Sequence, residues 1–219
     1  MENTIYKAPQ GQATHSMIWM HGLGANAQDM MMLADAMQLG DVAVRYAFMN
    51  APVRFVTINN NMPMPAWYDI TGMDLSSRED RVGIVESQTR ISQIIANEIA
   101  QGVPSENIYL AGFSQGGAMA LYAGLHCEQS LGGIIALSAY LPLREEFAAA
   151  SLSQAKALPI FMAAGEQDPI VFPGWTESSK QHLQSIGYEN IEYHTYPMEH
   201  AVCPQEIGHL AAWFKQQLV

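Results

Sequence analysis

The chain has 219 residues, 49% of them hydrophobic and 14% charged, against roughly 25% charged in an average soluble domain. It has the material for a large core, and at this length one domain spanning residues 1–219 is the expectation. Ten Lys and Arg stand against 21 Asp and Glu, a formal charge of −11, which leaves little material for a basic face and argues against nucleic acid and an anionic membrane surface as partners.

Taken in chain order, residues 1–16 hold no apolar run of the secretory-signal kind. Residues 14–20 (THSMIWM) read as a strand ending on the glycine turn His21-Gly22-Leu23-Gly24. Residues 26–38 predict a helix capped by Asn26, and its methionines (Met30, Met31, Met32, Met37) read as core filling. A second strand spans 42–48. The stretch 50–80, with Pro52, Pro63, Pro65, Gly72 and three consecutive asparagines, reads as a long functional loop. Residues 80–101 predict a helix buried through Val82, Val85, Ile91, Ile94, Ile95 and Ile99.

The second half repeats the rhythm. Strands are predicted at 107–113, 133–138, 159–164 and 190–196, and helices at 114–127, 174–186 and 203–218. Apolar strands alternating with helices imply an α/β fold with a mostly parallel central sheet covered on both faces. No segment is apolar for long enough to span a bilayer. Two cysteines, Cys127 and Cys203, are too few for a disulfide framework or a structural zinc site, and fit a reduced cytoplasmic protein. Cys203 reads as a small buried residue.

The strongest local signal is Gly112-Phe113-Ser114-Gln115-Gly116, a G-x-S-x-G between a predicted strand and a predicted helix. Such a turn lifts the Ser114 hydroxyl above the sheet and aims a helix N-terminus at charge forming beside it. A serine that merely caps the helix would not need a glycine on either side. A nucleophilic serine needs a base, and the base needs a carboxylate that orients it. His126, His182, His194 and His209 fall within predicted helices or a strand. His200 lies in the loop after the last strand, where a ring can reach over the strand ends. Asp168 and Glu166 are rival acids in the loop after 159–164. The oxyanion of acyl transfer needs two N–H donors, expected from the backbones of Gln115 and Leu23. His21 reads as a histidine that bonds its own turn.

These motifs, together with APVRFVTINNNMPMPAWYDI at 51–70, ALSAYLP at 136–142, GEQDPIV at 165–171 and PMEHAVCPQEI at 197–207, make the chain resemble the phospholipase/carboxylesterase family of serine α/β-hydrolases, which includes acyl-protein thioesterases. The resemblance runs through nearly the whole chain. It implies an α/β-hydrolase fold without a large lid domain and a triad of Ser114, Asp168 and His200. It also implies an oxyanion hole at Leu23 and Gln115, and homodimers among some members. The chain departs from the family pattern at Ala25-Asn26, Ala164, Glu199 and Ala201. None of these replaces a triad residue.

The expected activity is hydrolysis of short- to medium-chain carboxylic esters. The alternatives are depalmitoylation of acyl-proteins, lysophospholipid hydrolysis, and a silent hydrolase fold that only binds. The substrate is a small acyl ester or thioester, and the chemistry calls for no metal or organic cofactor. Trp67, Met73, Leu75 and Val171 are the residues expected to line the acyl chain, with a structural core role the rival for Trp67.

Overall fold

A computed structural model describes residues 4–72, 79–147 and 157–218. Nine strands and five helices are described: β1 (Thr4–Lys7), β2 (His15–Met20), α1 (Ala27–Ala36), β3 (Val44–Met49), β4 (Val53–Val56), β5 (Met62–Pro65), α2 (Arg81–Ala100), β6 (Ile108–Phe113), α3 (Gln115–Leu125), β7 (Gly133–Leu137), β8 (Ile160–Gly165), α4 (Pro173–Ser185), β9 (Ile191–Tyr196) and α5 (Pro204–Gln216). Seven strands form the main sheet in the order β1-β3-β2-β6-β7-β8-β9. All neighbours are parallel except the edge strand β1, which runs antiparallel to β3.

Strand alternation divides the core between the two faces of the sheet. Ile18, Leu110, Ile134, Ala136, Ile160 and Met162 pack with residues of α2, α3 and α4. Trp19, Ala111, Ile135, Leu137, Phe161 and Ala163 pack with α1 and α5. Both faces are apolar because both are covered, as a parallel sheet requires. α1 starts where predicted: Asn26 Oδ1 accepts from the Gln28 and Asp29 N–H groups, and the Asp29 carboxylate accepts from the Asn26 N–H. Met30 and Met37 are buried, whereas Met32 faces solvent.

Three expectations are corrected. The edge strand β1 adds to the predicted elements. The stretch 50–80 holds a hairpin, β4–β5, turned by Asn60 and Asn61 at positive φ (57° and 55°), which explains the run of asparagines. Its prolines are tolerable because β5 has a neighbour on one side only. Finally, α2 buries Ile84, Ser87, Ile91, Ile94, Ile95 and Glu98, while Val82 is 70% exposed and Ile99 is also on the surface. The predicted stripe was rotated at both ends.

Candidate active site

The site sits at the C-terminal ends of the parallel strands. Between β6 and α3 the chain turns so sharply that Ser114 takes φ 54°, ψ −122°, a costly conformation for a residue with a side chain. The turn is held by the Ser114 N–H donating to the Leu137 carbonyl at 2.8 Å. Close packing makes the flanking glycines necessary. A methyl group on Gly112 would overlap the Gly116 carbonyl, and one on Gly116 would overlap the Met20 carbonyl. The Ser114 hydroxyl does not cap α3. It lies instead 2.9 Å from His200 Nε2.

His200 stands in the loop between β9 and α5. Its Nδ1 is 2.7 Å from Asp168 Oδ2, so Nδ1 carries the proton it donates and Nε2 is free to accept from the serine. The Asp168 side chain is fully buried. Its other oxygen accepts from the N–H groups of Ile170 (2.8 Å) and Val171 (2.9 Å). The carboxylate therefore has three donors and a fixed orientation. Glu166, the rival acid, turns the other way and accepts from the Thr195 hydroxyl on β9. The Phe113 ring packs against the His200 imidazole, with centroids 4.7 Å apart. Glu199 is exposed.

The remaining histidines are engaged elsewhere. His126 bonds the Tyr122 carbonyl, His194 pairs with Glu192 and His209 bonds the Tyr196 hydroxyl, while His182 lies on α4. Among the described residues, neither the Leu23 nor the Gln115 N–H has an acceptor, although the adjacent Gly24 and Ala25 N–H groups do. Gly22, which precedes Leu23, abuts Ser114 and Phe113, and Gln115 opens α3, whose dipole favours negative charge there. His21 is fully buried and bonds its own turn: one ring nitrogen donates to the Gly22 carbonyl and the other accepts from the Ala51 N–H. Burial pushes its pKa below the usual value, and these partners require the neutral ring.

The expected acyl wall is corrected in part. Trp67 is fully buried, and its indole N–H donates to the His21 carbonyl at 2.8 Å. It cannot line an open groove. Val171 is also mostly buried, and its neighbours Ile170 (51% exposed) and Phe172 (47% exposed) present the apolar surface instead. The apolar run Pro169-Ile170-Val171-Phe172, directly after the acid, was the signal in the sequence. Met73 and Leu75 lie outside the described residues. Among the described residues no cluster of three or more His, Cys, Asp or Glu side chains could hold a metal ion, and no helix is long and apolar enough to cross a membrane.

A strained serine at the end of a central parallel strand, with a histidine and a buried carboxylate in line behind it, defines an α/β-hydrolase. Comparison with known proteins agrees. The model of the phospholipase/carboxylesterase family matches residues 1–218. An acyl-protein thioesterase 1 of Mycosarcoma maydis is 37% identical over 220 residues, covering 93% of this chain and 91% of that one. Arabidopsis thaliana SOBER1 superposes with a TM-score of 0.85 at 27% identity, covering 94% of this chain and 99% of that one. Zea mays acyl-protein thioesterase 2 superposes with a TM-score of 0.86 over 99% of both chains; at 22% identity this likeness bears on fold alone. The chain belongs to the phospholipase/carboxylesterase family of α/β-hydrolases, enzymes that act on ester and thioester bonds.

Proposed function

We propose that the protein hydrolyses short- to medium-chain carboxylic esters and thioesters through Ser114, His200 and Asp168. The observation that carries this reading is the line of contacts from the Asp168 carboxylate through His200 to the Ser114 hydroxyl, at 2.7 and 2.9 Å. His200 Nε2 takes the Ser114 proton as the hydroxyl oxygen attacks the acyl carbonyl. Asp168 holds the tautomer and stabilises the imidazolium that forms. The Leu23 and Gln115 N–H groups receive the oxyanion, each lowering the barrier by about 3 kcal/mol. The tetrahedral adduct collapses, and His200 returns the proton to the departing alkoxide or thiolate. Water then repeats the sequence on the acyl-enzyme and releases the acid. Every proton moves between Ser114, His200, water and the leaving group, so the cycle uses no metal or cofactor.

A second reading extends the substrate to long acyl chains on proteins or lysolipids. It is supported by the names of the relatives and by Ile170 and Phe172, which expose apolar surface directly after Asp168. Both cysteines are free, which supports a reducing, cytoplasmic setting. A ladder of p-nitrophenyl esters from acetate to palmitate, run beside acyl-thioesters with Ser114→Ala as the blank, tests both readings. Activity that falls beyond octanoate supports the first, and activity sustained to palmitate supports the second. No activity above the blank at any length overturns both.

A further inference from the structure

The two proposed oxyanion donors belong to segments more than ninety residues apart in sequence, Leu23 in the turn after β2 and Gln115 at the start of α3. Their spacing is set by what joins those segments. One connection is main-chain packing, since the Gly116 backbone abuts the carbonyls of Met20 and His21. The other is a closed set of hydrogen bonds through a third segment, residues 66–68. The Gln115 side-chain amide faces this segment from the elbow. Its Oε1 accepts from the Trp67 N–H at 2.8 Å, and its Nε2 donates to the Tyr68 carbonyl at 2.8 Å. From the same segment the Trp67 indole N–H reaches the His21 carbonyl at 2.8 Å. The Ser87 hydroxyl, from α2, donates to the Trp67 carbonyl. The His21 ring lies 5.5 Å from the Trp67 ring and closes the turn on itself through Gly22, with Ala51 on its far side.

Trp67, His21, Ser87 and Gln115 are all buried, Gln115 at 3% exposed and the others fully. Hydrogen bonds in such a setting are held in one geometry, because an unpaired partner there is costly. We propose that Trp67 and the Gln115 side chain are positioning residues of the oxyanion hole, latching the turn that carries the Leu23 N–H to the elbow that carries the Gln115 N–H. Gln115 then acts twice, with its main chain on the oxyanion and its side chain on the frame that holds the opposite donor. Trp67 is assigned to neither substrate contact nor simple filling. The indole N–H is what matters, because the ring alone would fill the space without holding the His21 carbonyl.

This inference rests on the hydrolase reading above, and its test separates the two. Trp67→Phe keeps an aromatic ring and removes the donor. The wild-type enzyme and this variant are compared for kcat and KM on p-nitrophenyl butyrate, for inhibition by an alkyl boronic acid, whose tetrahedral serine adduct places an oxygen in the oxyanion hole, and for dependence on pH. The variant is expected to lose about tenfold in kcat, the size of one buried hydrogen bond, with KM within about twofold. The boronic acid inhibition constant should rise by the same factor as kcat/KM falls. The acid limb of the pH profile should stay in place, because His200 and Asp168 are untouched.

A variant that melts earlier but keeps wild-type kcat overturns the proposal, and so does one that loses kcat without losing boronic acid affinity. Should Trp67→Phe not fold, Ser87→Ala decides. It loosens the Trp67 carbonyl, and the same parallel loss of kcat/KM and inhibitor affinity is expected at a smaller size; equal values in variant and wild type refute the latch. If the wild-type enzyme itself neither hydrolyses esters nor binds the boronic acid, the hydrolase reading fails.

Discussion

The two ends of the parallel sheet handle buried charge in opposite ways. At the N-terminal ends of the strands, Glu98 of α2 is fully buried and fully paired: Ser16 of β2 donates to one oxygen at 2.8 Å, and Arg45 of β3 lies 3.2 Å from the other. Arg45 in turn stacks on the Tyr6 ring, 4.9 Å from its centroid. That network ties α2 and three strands together and touches no part of the proposed chemistry. At the C-terminal ends, the polar groups surround the proposed site, and strain and unpaired atoms there cost stability. Ser114 is strained. Ser138, directly after the next strand, also has positive φ and a buried hydroxyl without a partner among the described residues. Glu206, three residues into α5, is fully buried with one oxygen bonded weakly to the Cys203 N–H and the other unpaired among the described residues. One end is fully paired, and the other carries backbone strain and unpaired polar atoms around the proposed site.

The sharpest way to break this contrast is to exchange its consequences. Ser114→Ala should lower kcat by about a million-fold, and Asp168→Asn by about ten-thousand-fold, without lowering the melting temperature. Steady-state kinetics with thermal melting checks both. A variant that loses stability in step with activity would mean that the site end also carries the fold. Conversely, Glu98→Ala should cost about 3 kcal/mol of stability, because it leaves Arg45 partly buried and unpaired, while kcat/KM stays within about twofold. Denaturant titration beside an ester assay measures that pair. Loss of activity at unchanged stability would contradict the division.

Glu206 gives the next largest effect. Burial pushes its carboxyl up to about 7 from 4.5, and the Cys203 N–H offsets this only in part. Tyr196 of β9 senses Glu206, Cys203 and Glu192 and is bonded to His209. Between pH 4.5 and about 7 the folded protein holds a proton that the unfolded chain has lost. Stability is therefore full below that window and declines as pH rises through it. Glu206→Gln keeps an acceptor for the Cys203 N–H and cannot ionise. It should flatten this decline and add on the order of 2 kcal/mol at pH 8. Unfolding free energies measured from pH 5 to 8 provide the check, and parallel curves for the two proteins would refute it.

How far the sequence revealed these two ends follows from how local each signal is. The G-x-S-x-G turn, the alternating strands and the histidine in a loop after the last strand are all short-range patterns, and each falls where it was predicted. β1 is four residues long with no period to detect. The β4–β5 hairpin hid behind prolines and asparagines that read as a loop. Trp67 reads in the sequence as an acyl-wall residue or a core tryptophan, not as a latch. Its part depends on Gln115 and His21, each more than forty residues away, and no local pattern encodes that meeting. The pairing of Glu98 with Ser16 and Arg45 spans still greater distances in sequence, beyond the reach of any local pattern.

The smallest expected effect concerns the pair of acids that spacing alone left unresolved. Asp168 and Glu166 lie two residues apart in one loop, and both could be oriented by the turn that follows β8. The backbone decides between them. Glu166 extends the sheet pairing, with its N–H on the Tyr196 carbonyl, and this sends its side chain to the exposed Thr195 hydroxyl. Asp168 comes after the chain has turned, beneath the N–H groups of Ile170 and Val171, with its second oxygen facing His200. An exposed carboxylate bonded to a hydroxyl contributes little to either stability or catalysis. Glu166→Gln should therefore change kcat/KM by less than about twofold and leave the melting temperature within about a degree, since exposed substitutions of this kind fall within about 0.5 kcal/mol. Assayed beside Asp168→Asn, it isolates what the two-residue step achieves. A large loss in Glu166→Gln, with activity kept in Asp168→Asn, would reverse the assignment of the acid.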